Sequence, residues 1–313
     1  MVMANVRMRS MLLLVKLLNI CSGNESGSGP GPGSGLVLQE PTNFTSENGE
    51  LNVTLVFGII TLPEESTGLN GSLQMLGFNG VSPGPTLRVR AGDTLRIRLN
   101  NTMPPELVST ANVTNNYHGF DTVNLHTHGL HISPLAPGDD IVDTHVGPGD
   151  TYEYTYHIPD DHMGGTFWYH PHYHGAAAIQ VNFGAAGMII VEDAENQLPA
   201  EVATLEDIIV VAYHVDYKDI DGIVTGYINN CKKLHDGTQS CHDVEKCSKV
   251  VGGLACKNCT DRLCEAQAEP FKDTKPPGSE LLLVNGQHKP TLTITADTWV
   301  RLRLGLIASK DYL

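Results

Sequence analysis

Two pairs of histidines, each separated by a single residue, carry the clearest chemistry in this chain: His126 with His128, and His170 with His172. Residues i and i+2 of an extended strand point to the same face, so each pair on a strand would direct two imidazoles to one place. Imidazole is a ligand for copper, zinc, iron and nickel. A single histidine is usually a surface or core residue, but two such pairs predict a site that can hold more than one metal ion.

The elements that position these pairs are predicted to be short β-strands. Apolar and polar residues alternate in segments 51–57, 95–99 and 152–158, which is the pattern of half-buried strands. The apolar run 187–191 is typical of a strand that is buried on both faces. No long stretch has the period of a helix. Many short strands with turn residues between them predict an all-β sandwich or barrel.

An internal repeat indicates how the strands are organised. Segment 86–99 aligns without gaps to segment 291–304, and an Asn-Gly pair precedes each copy, at Asn79 and Asn285. One explanation is that two amphipathic hairpins converged on the same pattern. The other is a duplicated β-domain, whose second copy would begin with a strand at 207–215.

Composition limits the classes of partner. The 313 residues carry a net charge of −15, which argues against nucleic acid and against an anionic membrane surface. No segment reaches the roughly 20 apolar residues that a membrane-spanning helix needs. Residues 1–23 predict a signal peptide, although Lys16 interrupts its apolar core and an untidy N-terminus is the alternative. Residues 24–50 predict a linker rich in Gly, Ser and Pro.

Glycosylation motifs and cysteines both point to secretion. Sequons begin at Asn24, Asn43, Asn52, Asn70, Asn100, Asn112 and Asn258. Six cysteines lie between Cys231 and Cys264, and the seventh, Cys21, would leave with a signal peptide. This density predicts disulfides formed in an oxidising compartment, with a pairing that the sequence does not determine. Zinc or copper binding by thiolates is the alternative, since Cys256 and Cys259 form a C-x-x-C motif.

Four segments of the chain resemble the multicopper oxidases: 83–87 (PGPTL), 125–130 (LHTHGL), 165–172 (GTFWYHPH) and 187–193 (GMIIVED). The resemblance implies a cupredoxin-like Greek-key β-sandwich. It predicts one complete domain at 51–200 and the start of a second at 205–313, which contains a cysteine-rich insertion at 229–272. The chain is then expected to be the N-terminal portion of a laccase-like enzyme.

The same resemblance implies a cofactor and roles for individual residues. His126 would bind a type 2 copper, and His128, His170 and His172 would bind a pair of type 3 coppers. Asp140 is the candidate for proton delivery near the metals, with Asp139 as its alternative. The family couples one-electron oxidation of phenols, aromatic amines or metal ions to the reduction of dioxygen to water. Dioxygen and a small reducing substrate are therefore the expected partners.

The chain departs from the family in the other half of the site. The resemblance calls for eight copper-binding histidines and a type 1 copper, but the printed sequence contains neither H-x-x-H-x-H nor H-C-H, and Cys241-His242 is the nearest fragment. The chain alone is thus expected to lack turnover. A non-catalytic copper-binding or storage module and an inactive truncated product are the alternatives.

Overall fold

The computed structural model describes residues 35–104, 119–216, 254–260, 263–268, 280–295 and 298–307, and within 254–268 it describes the backbone only. The predicted signal peptide at 1–23 and most of the cysteine-rich insertion at 229–272 lie outside these ranges. Among the described residues, no helix is both long enough and apolar enough to cross a membrane.

Fifteen strands and three short helices make up the described structure. In chain order the strands are β1 (Asn43–Thr45), β2 (Glu50–Leu62), β3 (Leu73–Phe78), β4 (Thr86–Val89), β5 (Thr94–Asn101), β6 (His126–His128), β7 (Thr151–His157), β8 (Gly165–His170), β9 (Gly187–Val191), β10 (Asp207–Asp216), β11 (Leu254–Thr260), β12 (Leu263–Ala268), β13 (Glu280–Val284), β14 (Gln287–His288) and β15 (Arg301–Ile307). The helices are α1 (Glu64–Thr67), α2 (Ala177–Asn182) and α3 (Ala200–Ala203). The all-β prediction is confirmed.

Two sheets pack against each other to form the first domain. One has the order β3-β2-β5-β7, and the other has the order β1-β4-β9-β8-β6. In the first sheet Leu95, Ile97 and Leu99 are buried, whereas Arg96 and Arg98 face solvent. As the alternation predicted, one face of this sheet is buried in a core that both sheets share, and the other face is exposed.

The second sheet presents the histidines at its edge. Strand β9 is buried along its whole length, as the apolar run predicted, and lies between β4 and β8. Strand β8 in turn pairs with the short edge strand β6. Both histidine-bearing strands are thus attached to the core through β9.

The internal repeat corresponds to a repeated arrangement of strands. Strand β2 pairs in parallel with β5 and antiparallel with β3, and β10 pairs in parallel with β15 and antiparallel with β13. The third sheet has the order β14-β13-β10-β15. One difference is that segment 291–295 forms only a bridge at Thr291, where the first copy has strand β4.

The asparagine of each Asn-Gly pair ties its turn to the neighbouring strand. Asn79 has a φ of 54° and Asn285 a φ of 50°, the left-handed conformation that asparagine tolerates. The Asn79 side chain accepts a hydrogen bond from the Val56 amide at 2.7 Å and donates one to the Thr54 carbonyl at 3.1 Å. Asn285 makes the same two bonds with β10, both at 2.7 Å. The repeat thus extends to the side-chain bonds of its turns, which favours duplication over convergence.

The predicted linker at 24–50 does not stay outside the sheets. Strand β1, at Asn43–Thr45, pairs in parallel with β4, and the Ser46 amide donates to the Arg88 carbonyl at 2.8 Å. A polar segment can join the sheet in this way because an edge strand is held mainly by hydrogen bonds between backbone groups, which do not require apolar side chains. Strand β1 therefore lies inside the segment that was predicted to be a linker.

A cluster of charged residues joins the first domain to the third sheet. Asp207 of β10 accepts from Arg88 at 3.4 Å and from Arg303 at 2.6 Å, and it also pairs with Arg301. Asp193, just after β9, pairs with Arg301 at 2.5 Å and with Arg303 at 3.3 Å. Burial disfavours the charge on Asp207, but the hydrogen bonds from Arg301 and Arg303 outweigh it and lower the pKa of that carboxyl.

Candidate metal centre

The sheet brings the two histidine pairs side by side. Strands β6 and β8 are antiparallel, with His126 opposite His170 and His128 opposite Trp168. Directly opposed residues share a face of the sheet. The ring centroid of His126 lies 5.3 Å from His128, 5.2 Å from His170 and 5.2 Å from His172. The structure thus brings together all four predicted ligands.

The second pair differs from the prediction that both pairs lie on strands. Strand β8 ends at His170 because Pro171 has no N–H for the ladder. The backbone amide of His172 instead donates to the side chain of Asn124 at 2.8 Å. The amide group of Asn124 also donates to the Ile141 carbonyl at 3.1 Å. Asn124, a buried residue two positions before the first pair, thus fixes the position of His172. Nothing in the sequence around Asn124 indicates this role.

Asp139 holds the first histidine of the cluster. Its carboxylate lies 2.6 Å from Nδ1 of His126 and accepts hydrogen bonds from the amide and the hydroxyl of Thr127 at 2.8 and 3.0 Å. Burial disfavours the charge, but the bonds from His126 and Thr127 outweigh it, so the pKa of Asp139 lies below its usual value. An ionised Asp139 accepts a hydrogen bond from the Nδ1–H of His126, which leaves the lone pair on Nε2 for a metal.

Asp140, the predicted group for proton delivery, is used differently by the fold. Its carboxylate accepts hydrogen bonds from the amides of Val142 and Asp143, at 3.1 and 3.0 Å. The bond from Asp143 is the main reason why the pKa of Asp140 is lowered. The structure therefore places Asp139, the alternative, against the histidines and Asp140 in the adjoining turn. The role of Asp140 in proton delivery stays a prediction.

His170 is held ready to act as a neutral ligand. Its Nδ1 lies 2.8 Å from the Pro171 carbonyl, so Nδ1 carries the proton and Nε2 faces the cluster. Burial, together with the nearby His126 and His172, lowers the pKa of His170 to about 4. Partial burial also lowers the pKa of His128. Neutral imidazoles are the form that binds metal, because a protonated ring has no free lone pair.

Trp168 forms one wall of the cluster. Its ring is stacked on His170 with centroids 4.0 Å apart and on His128 with centroids 5.1 Å apart. This stacking limits the rotation of two of the four imidazoles. The tryptophan belongs to the motif that carried the resemblance, but sequence reasoning did not assign it this position.

Two tyrosines of β7, with their rings stacked 5.6 Å apart, differ in their hydrogen bonds. The hydroxyl of Tyr154 accepts a hydrogen bond from the Leu125 amide at 3.0 Å, directly before His126. The hydroxyl of Tyr156 is fully buried and has no hydrogen-bond partner among the described residues. Burial raises the pKa of both tyrosines well above the usual value. Tyr154 therefore fixes the start of β6, whereas Tyr156 only fills space.

The donor set fits metal ions that favour imidazole. Ligand nitrogens of His126, His128 and His170 all lie within 4.8 Å of one another. Nδ1 of His128 and Nε2 of His170 are 3.4 Å apart, a spacing that allows both to bind one ion at the roughly 2.0–2.1 Å found for zinc–imidazole bonds. No thiolate or carboxylate belongs to this group among the described residues. All-imidazole ligation suits copper, zinc, iron or nickel rather than calcium or magnesium.

Comparison with known proteins identifies the relatives of this site. The sequence model described as "Multicopper oxidase" matches residues 63–112 and 108–196, a range that contains all four histidines. FET3, an iron transport multicopper oxidase of Candida albicans, is 34% identical over 125 residues, which are 38% of this chain and 16% of that protein. The L-ascorbate oxidase of Nicotiana tabacum is 31% identical over 126 residues, which are 39% of this chain and 18% of that protein.

The match to FET5, an iron transport multicopper oxidase of Saccharomyces cerevisiae, covers more of the chain: 30% identity over 158 residues, 47% of this chain and 21% of that protein. The chain thus spans about a fifth of the length of the curated relatives that it matches. Among solved structures, the multi-copper oxidase from Pediococcus acidilactici has a TM-score of 0.43 and 23% identity, covering 60% of this chain and 37% of that one. The match of residues 63–112 and 108–196 to the multicopper oxidase model confirms the predicted cupredoxin-like fold class.

Proposed function

The domain that holds the histidine cluster belongs to the multicopper oxidase family, and from this premise we propose that it supplies half of an oxygen-reducing copper centre. The observation that carries the proposal is the convergence of His126, His128, His170 and His172 beside Trp168. His126 would bind a type 2 copper, and the other three histidines would bind the type 3 pair.

The residues around the cluster supply what such a centre needs from the protein. Asp139 and the Pro171 carbonyl each hold a proton on Nδ1 of a histidine, which leaves Nε2 of His126 and His170 free to bind copper. The low pKa of His170 keeps this ligand neutral in mildly acidic conditions. Bound copper would supply the redox chemistry: electrons taken singly from a reductant, four of which, with four protons from solvent, reduce dioxygen to two waters.

The reductant is proposed as a phenol, an aromatic amine or a metal ion. The relatives named above include iron transport oxidases and an ascorbate oxidase, so small electron donors of more than one kind are used within the family. Half of the ligands expected of the whole centre have no matching motif in the printed sequence. Oxygen reduction is therefore proposed for the assembly in which this domain meets the remaining ligands. Copper binding alone is the second candidate function for the isolated chain.

Copper content tests the proposal. The purified chain is loaded with copper, dialysed against a weak chelator and analysed by inductively coupled plasma mass spectrometry. His126→Ala and His170→Ala should each lose most of the bound copper. His157→Ala is the matched control, since His157 lies on β7 and bonds to Thr94, away from the cluster. Equal copper in all four proteins would mean that the cluster is not the site.

Oxygen uptake separates the two candidates. The copper-loaded chain is placed in an oxygen electrode with a phenol or with ferrous ion. Copper retention without oxygen uptake favours the binding module for this chain alone. Uptake that is lost in His170→Ala would mean that the chain already contains a working centre.

A further inference from the structure

The hairpin of β11 and β12 places two cysteines in register. Cys259 of β11 lies directly opposite Cys264 of β12, and the next pair toward the turn is Thr260 with Leu263. Residues 261 and 262 connect the two strands. Sequence alone gave no pairing for the six cysteines between Cys231 and Cys264, so this register is new information about the cysteine-rich insertion.

The register satisfies the distance that a disulfide requires. Opposed residues of an antiparallel pair have Cα atoms about 4.5 Å apart in one kind of pair and about 5.5 Å apart in the other. Disulfides join residues whose Cα atoms are about 4.4–6.8 Å apart. Both kinds of pair fall within that range. The backbone of Cys259 and Cys264 is therefore suited to a cross-link whichever kind of pair they form.

Cys256 is the nearest competing partner, and the register disfavours it. It lies opposite Ala266, and a bulge between Cys256 and Cys259 places one extra residue on β11. Cys256, Cys259 and Cys264 consequently share one face of the hairpin. A diagonal pair on such a face is about 7–8 Å apart, and a separation above about 7 Å cannot be bridged without backbone movement. The register thus favours Cys259 over Cys256 as the partner of Cys264.

We propose that Cys259 and Cys264 form a disulfide that closes the β11–β12 hairpin. The bond forms by thiol–disulfide exchange with a small-molecule or protein disulfide of the oxidising compartment. Two thiols lose their protons and two electrons, one S–S bond forms, and the oxidant disulfide is reduced to two thiols. Four cysteines of the insertion remain, an even number: Cys231, Cys241, Cys247 and Cys256.

The cross-link gives the hairpin a support that two strands alone lack. A two-stranded hairpin is marginally stable in water, and β11 and β12 pair only with each other within the described part of the chain. A covalent bond beside the turn holds the register at the point where the bulge would otherwise allow it to slip. This proposal is independent of copper binding at the histidine cluster.

Peptide mapping provides a direct test because a trypsin site separates the two cysteines. Trypsin cuts after Lys257 and Arg262, so the two cysteines end in peptides 258–262 and 263–272. The full chain is secreted from cultured eukaryotic cells and its free thiols are blocked with N-ethylmaleimide in acid. Glycans are then removed, since Asn258 begins a sequon, and the tryptic digest is analysed by mass spectrometry without reduction. The expected result is a linked pair of these two peptides that separates when reductant is added.

Two variants and two other outcomes make the test decisive. Cys256→Ser should keep the linked pair, because Cys256 lies opposite Ala266, whereas Cys259→Ser should leave Cys264 labelled by N-ethylmaleimide. Maleimide on both cysteines of the unmodified chain would overturn the proposal. So would a bond from either cysteine to another part of the insertion. Stoichiometric zinc, with labelling only after chelation, would indicate a thiolate metal site in its place.

Discussion

Replacing Asp139 with asparagine should weaken copper binding without removing any ligand. The carboxylate of Asp139 is an acceptor for Nδ1 of His126 at 2.6 Å, which fixes the proton on that nitrogen. Asparagine can still accept from the Thr127 amide through its carbonyl oxygen, which leaves its NH₂ group facing His126. The imidazole must then accept at Nδ1, so the proton moves to Nε2, the nitrogen that the metal needs.

The size of the effect follows from the loss of this one contact. Groups that orient metal-binding histidines are typically worth about 10–100-fold in metal affinity. Each tenfold change corresponds to about 1.4 kcal/mol, so Asp139→Asn should cost about 1.4–2.8 kcal/mol of copper binding. Asp139 is only 12% exposed, so solvent should not replace the lost acceptor fully.

Competition with a chromophoric chelator at neutral pH measures the copper dissociation constant. Asp140→Asn is the matched control: it makes the same chemical change at the next residue, whose carboxylate accepts from the amides of Val142 and Asp143. Its affinity should stay within about twofold of the unmodified chain. Thermal unfolding of the metal-free proteins separates a binding defect from a folding defect. Equal losses in both variants, or no loss in Asp139→Asn, would refute the assigned role of Asp139.

Two further predictions concern stability in the metal-free chain. Tyr156→Phe should leave the free energy of unfolding unchanged or raise it, because it removes a buried hydroxyl with no described partner. Tyr154→Phe should lower the free energy of unfolding by about 1–2 kcal/mol, because the Leu125 amide loses its acceptor. Urea titration of the two variants checks this, and equal losses of stability would contradict it. Acid should destabilise the chain through His170, since the unfolded chain takes up a proton near pH 6.5 and the folded chain only near pH 4. Between pH 7 and pH 5 protonation of this histidine in the unfolded chain should lower the free energy of unfolding by about 2 kcal/mol. The stability of His170→Gln should therefore depend less on pH over that range than the stability of the unmodified chain. Equal pH dependence would disprove the lowered pKa of His170.

The sequence predicted the parts of the structure that depend on local pattern. Alternation in 95–99 correctly predicted which face of β5 is buried, and the apolar run at 187–191 correctly predicted a strand covered on both sides. The four histidines converge as their spacing and the resemblance indicated, although Pro171 ends β8 one residue before the second pair is complete. Strand β1 was missed because its partners are backbone groups, which leave little trace in side-chain composition.

What the sequence could not predict is set by contacts between distant residues. Asp139 and Asp140 are adjacent residues of the same type, so the sequence does not distinguish them. In the structure Asp140 bonds to the amide of Asp143 in its turn, and Asp139 faces His126. The partner of Cys264 likewise depends on a bulge in the opposite strand, and a shift of one residue would bring another residue opposite it.

The order of strands in the second sheet has a consequence for biosynthesis. Strand β9 lies between β4 and the histidine strands, yet it is the last of the first domain's strands to be made. A ribosome that has released β6 and β8 has produced two paired histidine strands whose only link to the rest of their sheet, β9, has not yet been made. The parallel pairing of β4 with β9 joins segments about a hundred residues apart, a slow kind of contact to form. Assembly of the metal-binding face is therefore a late event in folding, and metal that arrives earlier would meet the histidine strands before β9 has joined them to their sheet.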